Sequence, residues 1–425
     1  MKQRILTSVL VAVLGLNLFL GARLFLNSAE TSDRDDVYRN MENFTRVLEI
    51  VRKEYVDEEK VSYEELVDNA LKGMLSRLDP HSEYMDPKRF TALRTDTRGE
   101  FGGVGIVVSL RDGMLTVVAP MDGTPGAAAG ILAGDRIIKI EDKSTRGMSL
   151  ADAVDKLRGK VGTEVRFTLG RTEDGEFKEI DVAVKRAVIT VKTVRDIEGK
   201  NDFKLLENQV GYVRLASFGD KTGKELELAL KKMDDAGIKG LVLDLRDNPG
   251  GLLDQSVIVA EKFLPKGQLV VSTEGREKKD IDKHHAAGRS KIRKYPVVIL
   301  VNKGSASASE IVAGCLQDLK RADLVGEKTF GKGSVQSILP MRNGAALRLT
   351  TAKYYTPSHR VIHEKGITPD HEVKLSPETM RDLLLQRSPG GLESLPEADR
   401  ERVGNAKDTQ LEKALELLKV KLAAK

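Results

Sequence analysis

The sequence predicts a multidomain α/β protein, and three observations lead to that class. A chain of 425 residues is too long for one ordinary hydrophobic core, so we expect two or three domains. The pattern changes from helical to short strands punctuated by glycine near Gly99, and strands alternate with helices after Val188. The strands after Val188 are uniformly apolar, as in a largely parallel sheet that is covered on both faces.

The N-terminal residues 1–29 have the pattern of an export signal or a single membrane anchor. Lys2 and Arg4 precede an apolar run over residues 5–22. The small-x-small pattern of a cleavage site is weak, and the run approaches the ~20 residues that span a bilayer, which favours an uncleaved anchor. Because positive flanking charges stay inside, we expect the rest of the chain to lie outside the cytoplasm, in the periplasm or at the cell surface.

Residues 30–97 should form a helical N-terminal module. Apolar residues recur there at helical spacing, as in the sets Phe44, Val47, Leu48, Val51 and Leu66, Ala70, Leu71, Met74. The stretch LDPHSEYMDP then interrupts the pattern with two prolines, which places His81 in a turn. A lone histidine in a turn indicates a structural role more often than a catalytic one.

Residues 98–187 should form a compact strand-rich domain. FGGVGIVVSL, MLTVVAPM, GTEVRFTLGR and EIDVAVKR have strand patterns, and DRIIKI is a further strand after a short helix. The stretch SLADAVDKLRG predicts a helix that begins at Ser149.

Residues 188–378 should form the α/β domain. The strands NQVGYVRLASF, IKGLVLDL and YPVVILVN alternate with the helices KELELALKKMDDAG, SVIVAEKFL and SEIVAGCLQDLKR. Ligands are expected at the carboxyl ends of such strands. A polar stretch over residues 274–294, which contains His284 and His285, is expected to be a solvated loop without a metal. Residues 379–425 end in an amphipathic helix, DTQLEKALELLKVKLAAK, which indicates a packing or dimer element.

The composition excludes several function classes. The net charge of +5 comes from 69 Lys and Arg against 64 Asp and Glu spread along the chain, so nucleic acid is a poor candidate partner. Cys315 is the only cysteine, which rules out an internal disulfide and a cysteine-based metal cluster. Its apolar surroundings in EIVAGCLQDL indicate a buried thiol rather than a nucleophile.

Three serines in VNKGSASASEIVAG follow an apolar strand and precede a helix. Ser305, Ser307 and Ser309 stand at alternate positions there. One of them becomes a nucleophile if a base removes its proton and backbone amides stabilise the oxyanion, and the amides of a helix start are suited to that task. The alternative is that all three only cap the helix.

Two further motifs favour a catalytic role for one of these serines over capping alone. In TFGKGSVQSILPM, Lys332 lies between two glycines, and on a strand it would share a face with Ser334 and Gln336. A partly desolvated lysine has a lowered pKa and can act as a general base, whereas an ordinary surface lysine would have no such role. In DLRDNPGG, residues 244–251, the glycine pair either brings amides to an oxyanion or simply makes a tight turn.

Together, GSASASEIVAG, TFGKGSVQ and the upstream DLRDNPGG closely resemble the carboxyl-terminal processing peptidases, tail-specific serine proteases that use a Ser-Lys dyad. The resemblance extends over residues 38–373 in matching order and includes LDPHSEYM. It implies that Ser307 is the nucleophile, that Lys332 is the general base and that Gln336 orients the lysine. It leaves Ser305 and Ser309 with turn and capping roles.

The resemblance also implies the oxyanion donors. They would be the amide of Ala308 and one amide of the Pro-Gly-Gly turn, from Gly250 or Gly251, between which the sequence does not decide. No metal and no organic cofactor is implied.

The resemblance identifies the strand-rich domain as a PDZ domain. The residues Gly103, Val104, Gly105 and Ile106 match the loop whose successive amides bind a terminal carboxylate. An extended peptide would add as a strand beside Ile106, and the helix SLADAVDKLRG would form the other wall of the groove. Arg158, at the end of that helix, would reach a carboxylate or the protease domain.

The expected function is therefore a serine endopeptidase that recognises protein C-terminal tails through its PDZ domain and cleaves with a Ser-Lys dyad. One alternative is a PDZ-based tail-binding adaptor whose protease-like domain is inactive. Another is a histidine-based hydrolase, because His359 and His363 stand where the family usually has glycine and glutamine. Helical segments at both ends of the chain make a homodimer plausible.

Overall fold

The computed structural model describes residues 32–121, 123–173, 176–277, 279–387, 391–395 and 397–424. The predicted export signal or anchor lies outside these residues. The chain divides into two compact units, Met1–Tyr84 and Met85–Lys425.

The described part of the first unit is helical, as its apolar spacing predicts. It contains helix α1 (Ser32–Glu54), a 3₁₀ turn (Glu58–Lys60) and helix α2 (Tyr63–Ser76). Helix α2 starts where the Ser62 side chain accepts a hydrogen bond from the Glu65 amide at 3.2 Å. Across the described residues, no helix combines the length and the apolar character that crossing a bilayer requires.

The second unit begins with a short connecting region and the predicted strand-rich domain. A strand at the boundary between the units, β1, covers Glu83–Met85, and helix α3 covers Pro87–Arg98. The strands of the domain are β2 (Glu100–Gly103), β3 (Ile106–Arg111), β4 (Met114–Pro120), β5 (Arg136–Ile140), β6 (Lys143–Ser144), β7 (Glu164–Glu173), β8 (Glu176–Lys185) and β9 (Ala187–Thr190). Its helices are α4 (Pro125–Ala128) and α5 (Leu150–Leu157).

An antiparallel sheet in the order β3-β4-β5-β7-β8 forms this domain, with β6 paired to β5. Strands β2 and β9 form a separate two-stranded ribbon. Helix α5 starts at Ser149, whose hydroxyl accepts a hydrogen bond from the Asp152 amide at 3.1 Å. It lies beside the edge strand β3, so the fold leaves a groove between a strand edge and a helix.

The α/β domain is built on a second sheet in the order β10-β11-β12-β15-β16-β19. Its strands are β10 (Val194–Arg195), β11 (Val210–Leu215), β12 (Gly240–Asp244), β15 (Val297–Val301), β16 (Ala322–Gly326) and β19 (His371–Glu372). All pairs except β10 with β11 are parallel. Every residue of β12 and β15 is buried, which explains why these strands are continuously apolar.

Helices and a smaller sheet cover one face of this parallel sheet. The helices are α6 (Thr222–Asp235), α7 (Leu253–Ala260), with a 3₁₀ turn at Glu261–Phe263, and α8 (Ala308–Asp318). The smaller sheet is antiparallel and contains β13 (Leu269–Glu274), β14 (Ile281–His285), β17 (Ser334–Pro340) and β18 (Ala346–Tyr355).

One predicted loop is partly a strand. The prediction of a solvated loop over residues 274–294 is wrong for β14, which pairs with β13. Its residues are exposed or half-buried, so no apolar alternation marks it in the sequence. His284 and His285 lie on this strand.

The C-terminal segment ends in a helix that covers the opposite face of the parallel sheet. It consists of α9 (Pro377–Gln386), a 3₁₀ turn (Gly391–Ser394), α10 (Glu397–Gly404) and α11 (Thr409–Ala423). Ala414 and Leu418 of α11 are fully buried against Val242, Val298 and Leu300 of the sheet. The amphipathic pattern of α11 therefore serves packing within the chain.

Candidate active site

The three serines lie between the end of β15 and the start of α8. Ser307 immediately precedes α8 and has φ 54° and ψ −114°, a backbone conformation that is strained for a residue with a side chain. It is 8% exposed. The next residue, Ala308, opens the helix, where amides have no partner within the helix.

The two flanking serines hold this turn against the DLRDNPGG segment. The Ser305 hydroxyl donates to the Leu245 carbonyl at 2.7 Å, and the Ser309 hydroxyl donates to the Asn248 carbonyl at 3.0 Å. The Ala306 amide also donates to the Asn248 carbonyl, at 3.0 Å. Through these bonds Ser305 and Ser309 hold the turn, in line with the turn and capping roles that the family resemblance implies for them.

The glycine turn lies directly on Ser307. A Cβ atom added to Gly250 would be 2.8 Å from the Ser307 Cβ and 2.9 Å from the Ala308 nitrogen, and its φ is 98°. Only glycine fits this approach. The Gly250 amide donates to the side-chain oxygen of Asn248 at 2.9 Å. Gly251 pairs in parallel with Phe218, an arrangement in which the Gly251 amide points away from Phe218.

A buried carboxylate joins the turn at Ser307 to the loop over residues 329–333 that carries Lys332, here called the lysine loop. One oxygen of Glu310 accepts from the Ser307 and Lys332 amides, both at 2.9 Å. The other accepts from the Thr329 hydroxyl at 2.5 Å and from the Gly331 amide at 2.7 Å. Burial raises the pKa of Glu310, and the four donors oppose that rise.

Sequence reasoning missed Glu310. The signal was present as Ser307-x-x-Glu310, the spacing at which a glutamate three residues into a helix accepts from the amide of the capping residue. That pattern predicts a helix start, but it does not predict that the same carboxylate also binds the lysine loop.

Lys332 lies half-buried in the loop just before β17. It is not on the strand as predicted, because pairing begins only at Ser334. The flanking glycines are required by close packing. A Cβ atom on Gly333 would lie 2.1 Å from the His363 nitrogen, and Gly331 has φ 93°.

Gln336 lies on the same face of β17 as Ser334, as the alternation predicts. Its amide nitrogen donates to the hydroxyls of Thr350, at 2.8 Å, and Ser334, at 3.2 Å. Its side-chain oxygen is buried and, within the described part of the chain, accepts no hydrogen bond. A buried oxygen without a donor is suited to accept a hydrogen bond from the ammonium group of Lys332.

Tyr354 of β18 is a second residue that the sequence did not single out. Its amide donates to the Gly333 carbonyl at 2.7 Å, which joins β18 to the lysine loop. Burial raises the pKa of Tyr354 to about 12, and a hydrogen bond with the Ser307 hydroxyl opposes that rise. The phenol therefore stays protonated and borders the nucleophile.

The two histidines are placed differently. The His359 ring stacks on Tyr355, with 4.6 Å between ring centroids, and its Nε2 lies 2.7 Å from a Glu274 carboxylate oxygen. The backbone of His363 packs on Gly333, and its Nδ1 is buried without a hydrogen bond among the described residues. His359 is thus engaged away from Ser307, whereas His363 lies beside the lysine loop.

The expected carboxylate-binding loop connects β2 to β3. Val104 is buried, and its carbonyl accepts from the Gly126 amide at 2.7 Å. The Gly105 carbonyl accepts from the Thr124 hydroxyl at 2.9 Å. Gly103 ends β2 and Ile106 begins the edge strand β3, so a peptide has an open strand edge beside this loop.

Arg158 ends the helix that forms the other wall of the groove. Its guanidinium lies 4.2 Å from the centre of the Phe101 ring and 3.7 Å from an Asp96 carboxylate oxygen. It therefore packs on β2 and α3 in this structure.

Comparison with protein families supports this domain arrangement. The profile of peptidase family S41 matches residues 209–373, and a PDZ domain profile matches residues 116–171. A profile described as the N-terminal domain of the activating protease CtpB matches residues 23–89. The chain is 45% identical to the carboxy-terminal-processing protease of Bartonella bacilliformis over 361 residues, which are 83% of this chain and 80% of that protein.

A second relative and a solved structure are similar to this chain over most of its length. The chain is 37% identical to the carboxy-terminal processing protease CtpA of Bacillus subtilis, over 82% of this chain and 71% of that protein. A putative S41 protease from Bacteroides fragilis shares the fold, with a TM-score of 0.51 at 16% identity, over 85% of this chain and 97% of that one. On this sequence similarity, the chain belongs to the carboxy-terminal processing proteases, the PDZ-containing serine peptidases of family S41.

Proposed function

We propose that this S41 protease cleaves protein C-terminal regions with Ser307 as nucleophile and Lys332 as general base. Ser307 attacks the scissile carbonyl, and Lys332 takes its proton and returns it to the leaving amine. Gln336 holds the ammonium form of Lys332 through its buried side-chain oxygen. The single observation that carries this assignment is the Glu310 carboxylate, which binds the amides of both Ser307 and Lys332.

The oxyanion in this proposal is stabilised by backbone amides. One is that of Ala308 at the start of α8, where the helix dipole adds to the effect. The second comes from the Gly250–Gly251 turn. Because the Gly250 amide already donates to Asn248, Gly251 is the favoured donor.

The PDZ domain would capture the substrate tail. The tail adds as a strand to β3, and its carboxylate binds the amides of Val104, Gly105 and Ile106. Strand β2 links this groove to the protease domain. On the PDZ side, the Gly102 carbonyl of β2 accepts from the Gly159 amide, and on the protease side Glu100 of β2 pairs with Lys221. Tail binding would therefore act on access to the site through β2.

The N-terminal pattern supports a proposal on location. The apolar run over residues 5–22 behind Lys2 and Arg4 would direct the chain across the inner membrane and keep it anchored there. Fractionation of cells expressing the full chain should recover it with membranes and leave it accessible to protease added outside the cytoplasm. Recovery in the cytoplasm would contradict this location.

Helix α1 supports a homodimer. Val37, Met41, Phe44 and Val47 follow one face of α1 and are 60%, 54%, 41% and 59% exposed. A second copy of the same helix would cover this stripe. We expect Phe44→Glu to halve the molar mass measured by light scattering, with Glu49→Lys on the same helix as control. A monomeric wild type would exclude the dimer.

Hydrolysis of a tail peptide tests the proposed chemistry. Ser307→Ala and Lys332→Ala should abolish cleavage while the affinity for the tail stays unchanged, and His363→Ala should keep cleaving. Turnover by Lys332→Ala together with loss of activity in His363→Ala would support the histidine-based hydrolase instead. Tail binding by the wild-type protein without cleavage would support the adaptor.

A further inference from the structure

A buried network of charged side chains connects the C-terminal segment to the DLRDNPGG turn. The Arg246 guanidinium lies between two carboxylates. It donates to Asp244 at 2.6–3.1 Å on one side, and to both oxygens of Asp408 at 2.8 and 2.9 Å on the other. All three side chains are almost completely buried. Asp408 lies in the C-terminal segment, just before α11.

Further groups complete the network. Arg246 also donates to the side-chain oxygen of Gln410 at 3.0 Å, and Gln410 donates to the Val373 carbonyl at 2.8 Å. Arg387 of the C-terminal segment pairs with Asp408 as well. The Tyr212 hydroxyl donates to Asp244 at 2.6 Å.

The charges in this network balance. Two guanidinium groups, Arg246 and Arg387, face two carboxylates, Asp244 and Asp408. Burial acts to raise the pKa of Asp408, but hydrogen bonds and charge from Arg246, together with the charge of Arg387, hold it below its ordinary value. Removal of one carboxylate would leave a buried positive charge without compensation.

Asn248 lies two positions after Arg246 in the chain. It joins the Gly250–Gly251 turn to the turn at Ser307. Its carbonyl accepts from Ala306 and Ser309, and its side chain accepts from the Gly250 amide and donates to the Leu215 carbonyl. A shift of the Arg246 backbone would therefore move both turns.

We propose that Asp408 is a positioning residue for catalysis: by holding Arg246 from the C-terminal segment, it fixes the glycine turn that supplies an oxyanion donor. The C-terminal segment is thus part of the catalytic apparatus, although it does not touch the substrate. This inference rests on the proposed roles of Ser307 and of the glycine turn.

The charge of Asp408 can be removed without loss of its capping function. Asp408 accepts from the Leu411 amide at 3.0 Å at the start of α11, and asparagine caps helices as well as aspartate does. Asp408→Asn therefore removes the charge that Arg246 and Arg387 share while it keeps the cap. Asp408→Glu restores the charge. Arg402→Ala is the matched control, because Arg402 pairs with Asp382 within the same segment and does not contact the turn.

The test compares turnover of a tail peptide per folded molecule, with the folded fraction measured by circular dichroism. We expect kcat of Asp408→Asn to fall roughly 10- to 100-fold with KM and tail affinity unchanged, as for a group that acts only in the transition state. Asp408→Glu should recover part of kcat, and Arg402→Ala should match the wild type. The affinity for a peptide boronic acid, whose adduct places an oxygen in the oxyanion position, should fall in parallel with kcat.

A purely structural role for Asp408 would lower the melting temperature but leave kcat per folded molecule and boronate affinity unchanged, and that result would overturn the proposal. If Asp408→Asn does not fold, Gln410→Leu removes one hydrogen bond to Arg246 without changing the charge of the network, together with the bond to the Val373 carbonyl. It should lower kcat about two- to tenfold, and an unchanged kcat would contradict the proposal equally. Residual cleavage by Ser307→Ala, measured in the same series, would instead count against the proposed nucleophile.

Discussion

The replacement Glu310→Gln tests the link between nucleophile and base. The four donors that face the Glu310 carboxylate are the amides of Ser307, Gly331 and Lys332 and the Thr329 hydroxyl. Glutamine has the same shape but presents one oxygen and one NH₂ group. When its oxygen faces Thr329 and Gly331, its NH₂ group faces the two amides of Ser307 and Lys332, so two bonds are lost and donors oppose donors.

The magnitude follows from these two bonds. A hydrogen bond to a charged, buried acceptor contributes about 1.5–3 kcal/mol, so we expect the free energy of unfolding to fall by about 3–6 kcal/mol. We also expect kcat to fall, and to fall by more than it would after an ordinary substitution in the hydrophobic core. A displacement of about 1 Å between reacting groups costs on the order of 100-fold in rate, and the lost bonds are those that set the spacing of Ser307 and Lys332.

Urea unfolding and peptide hydrolysis measure the two effects on the same preparation. Glu261→Gln is the matched control, since Glu261 is also buried but accepts from the Ala287 amide at 2.8 Å, away from the three motifs of the site. The control should lose stability without losing kcat per folded molecule. A kcat of Glu310→Gln within about threefold of the wild type, or a loss of stability no greater than that of the control, would contradict this role of Glu310.

Three further predictions concern the same site and its surroundings. Gly250→Ala should lower kcat on the order of 100-fold in the hydrolysis assay, because its Cβ would strike Ser307 at 2.8 Å and its φ of 98° disfavours a side chain. Gln336→Leu should lower kcat and leave KM unchanged, while retained kcat would show that Lys332 does not need this acceptor. Arg246 holds the pKa of Asp244 far below its usual range against the effect of burial. The ionised Asp244 therefore stabilises the folded state above about pH 4, the ordinary pKa of an aspartate in the unfolded chain. That contribution is lost as the pH falls further, and unfolding in urea below about pH 4 should therefore need progressively less denaturant.

The sequence predicts those features that depend on local pattern. Uniformly apolar stretches predict the buried strands β12 and β15, and alternation places Ser334 and Gln336 on one face. Glycines beside Lys332 predict close backbone approach, and Gly333 indeed packs on His363.

Features that depend on distant contacts escaped prediction for a physical reason. The bond from Arg246 to Asp408 joins residues 162 positions apart, and neither residue differs in its local sequence from a solvated surface charge. The amide of Tyr354 is bonded to the Gly333 carbonyl of the lysine loop, a pairing between distant segments that no local pattern marks. Strand β14 has polar residues on both faces, so it carries no periodic signal.

Covalent labelling identifies the nucleophilic serine and shows whether Lys332 activates it. The enzyme is incubated with a fluorophosphonate, which reacts with an activated serine, and the labelled residue is located by peptide mass spectrometry. We expect a single labelled serine, Ser307, in the wild type, and loss of labelling in Lys332→Ala with the fold intact. Labelling of Ser305 or Ser309, or undiminished labelling of Ser307 in Lys332→Ala, would contradict the proposed Ser-Lys dyad.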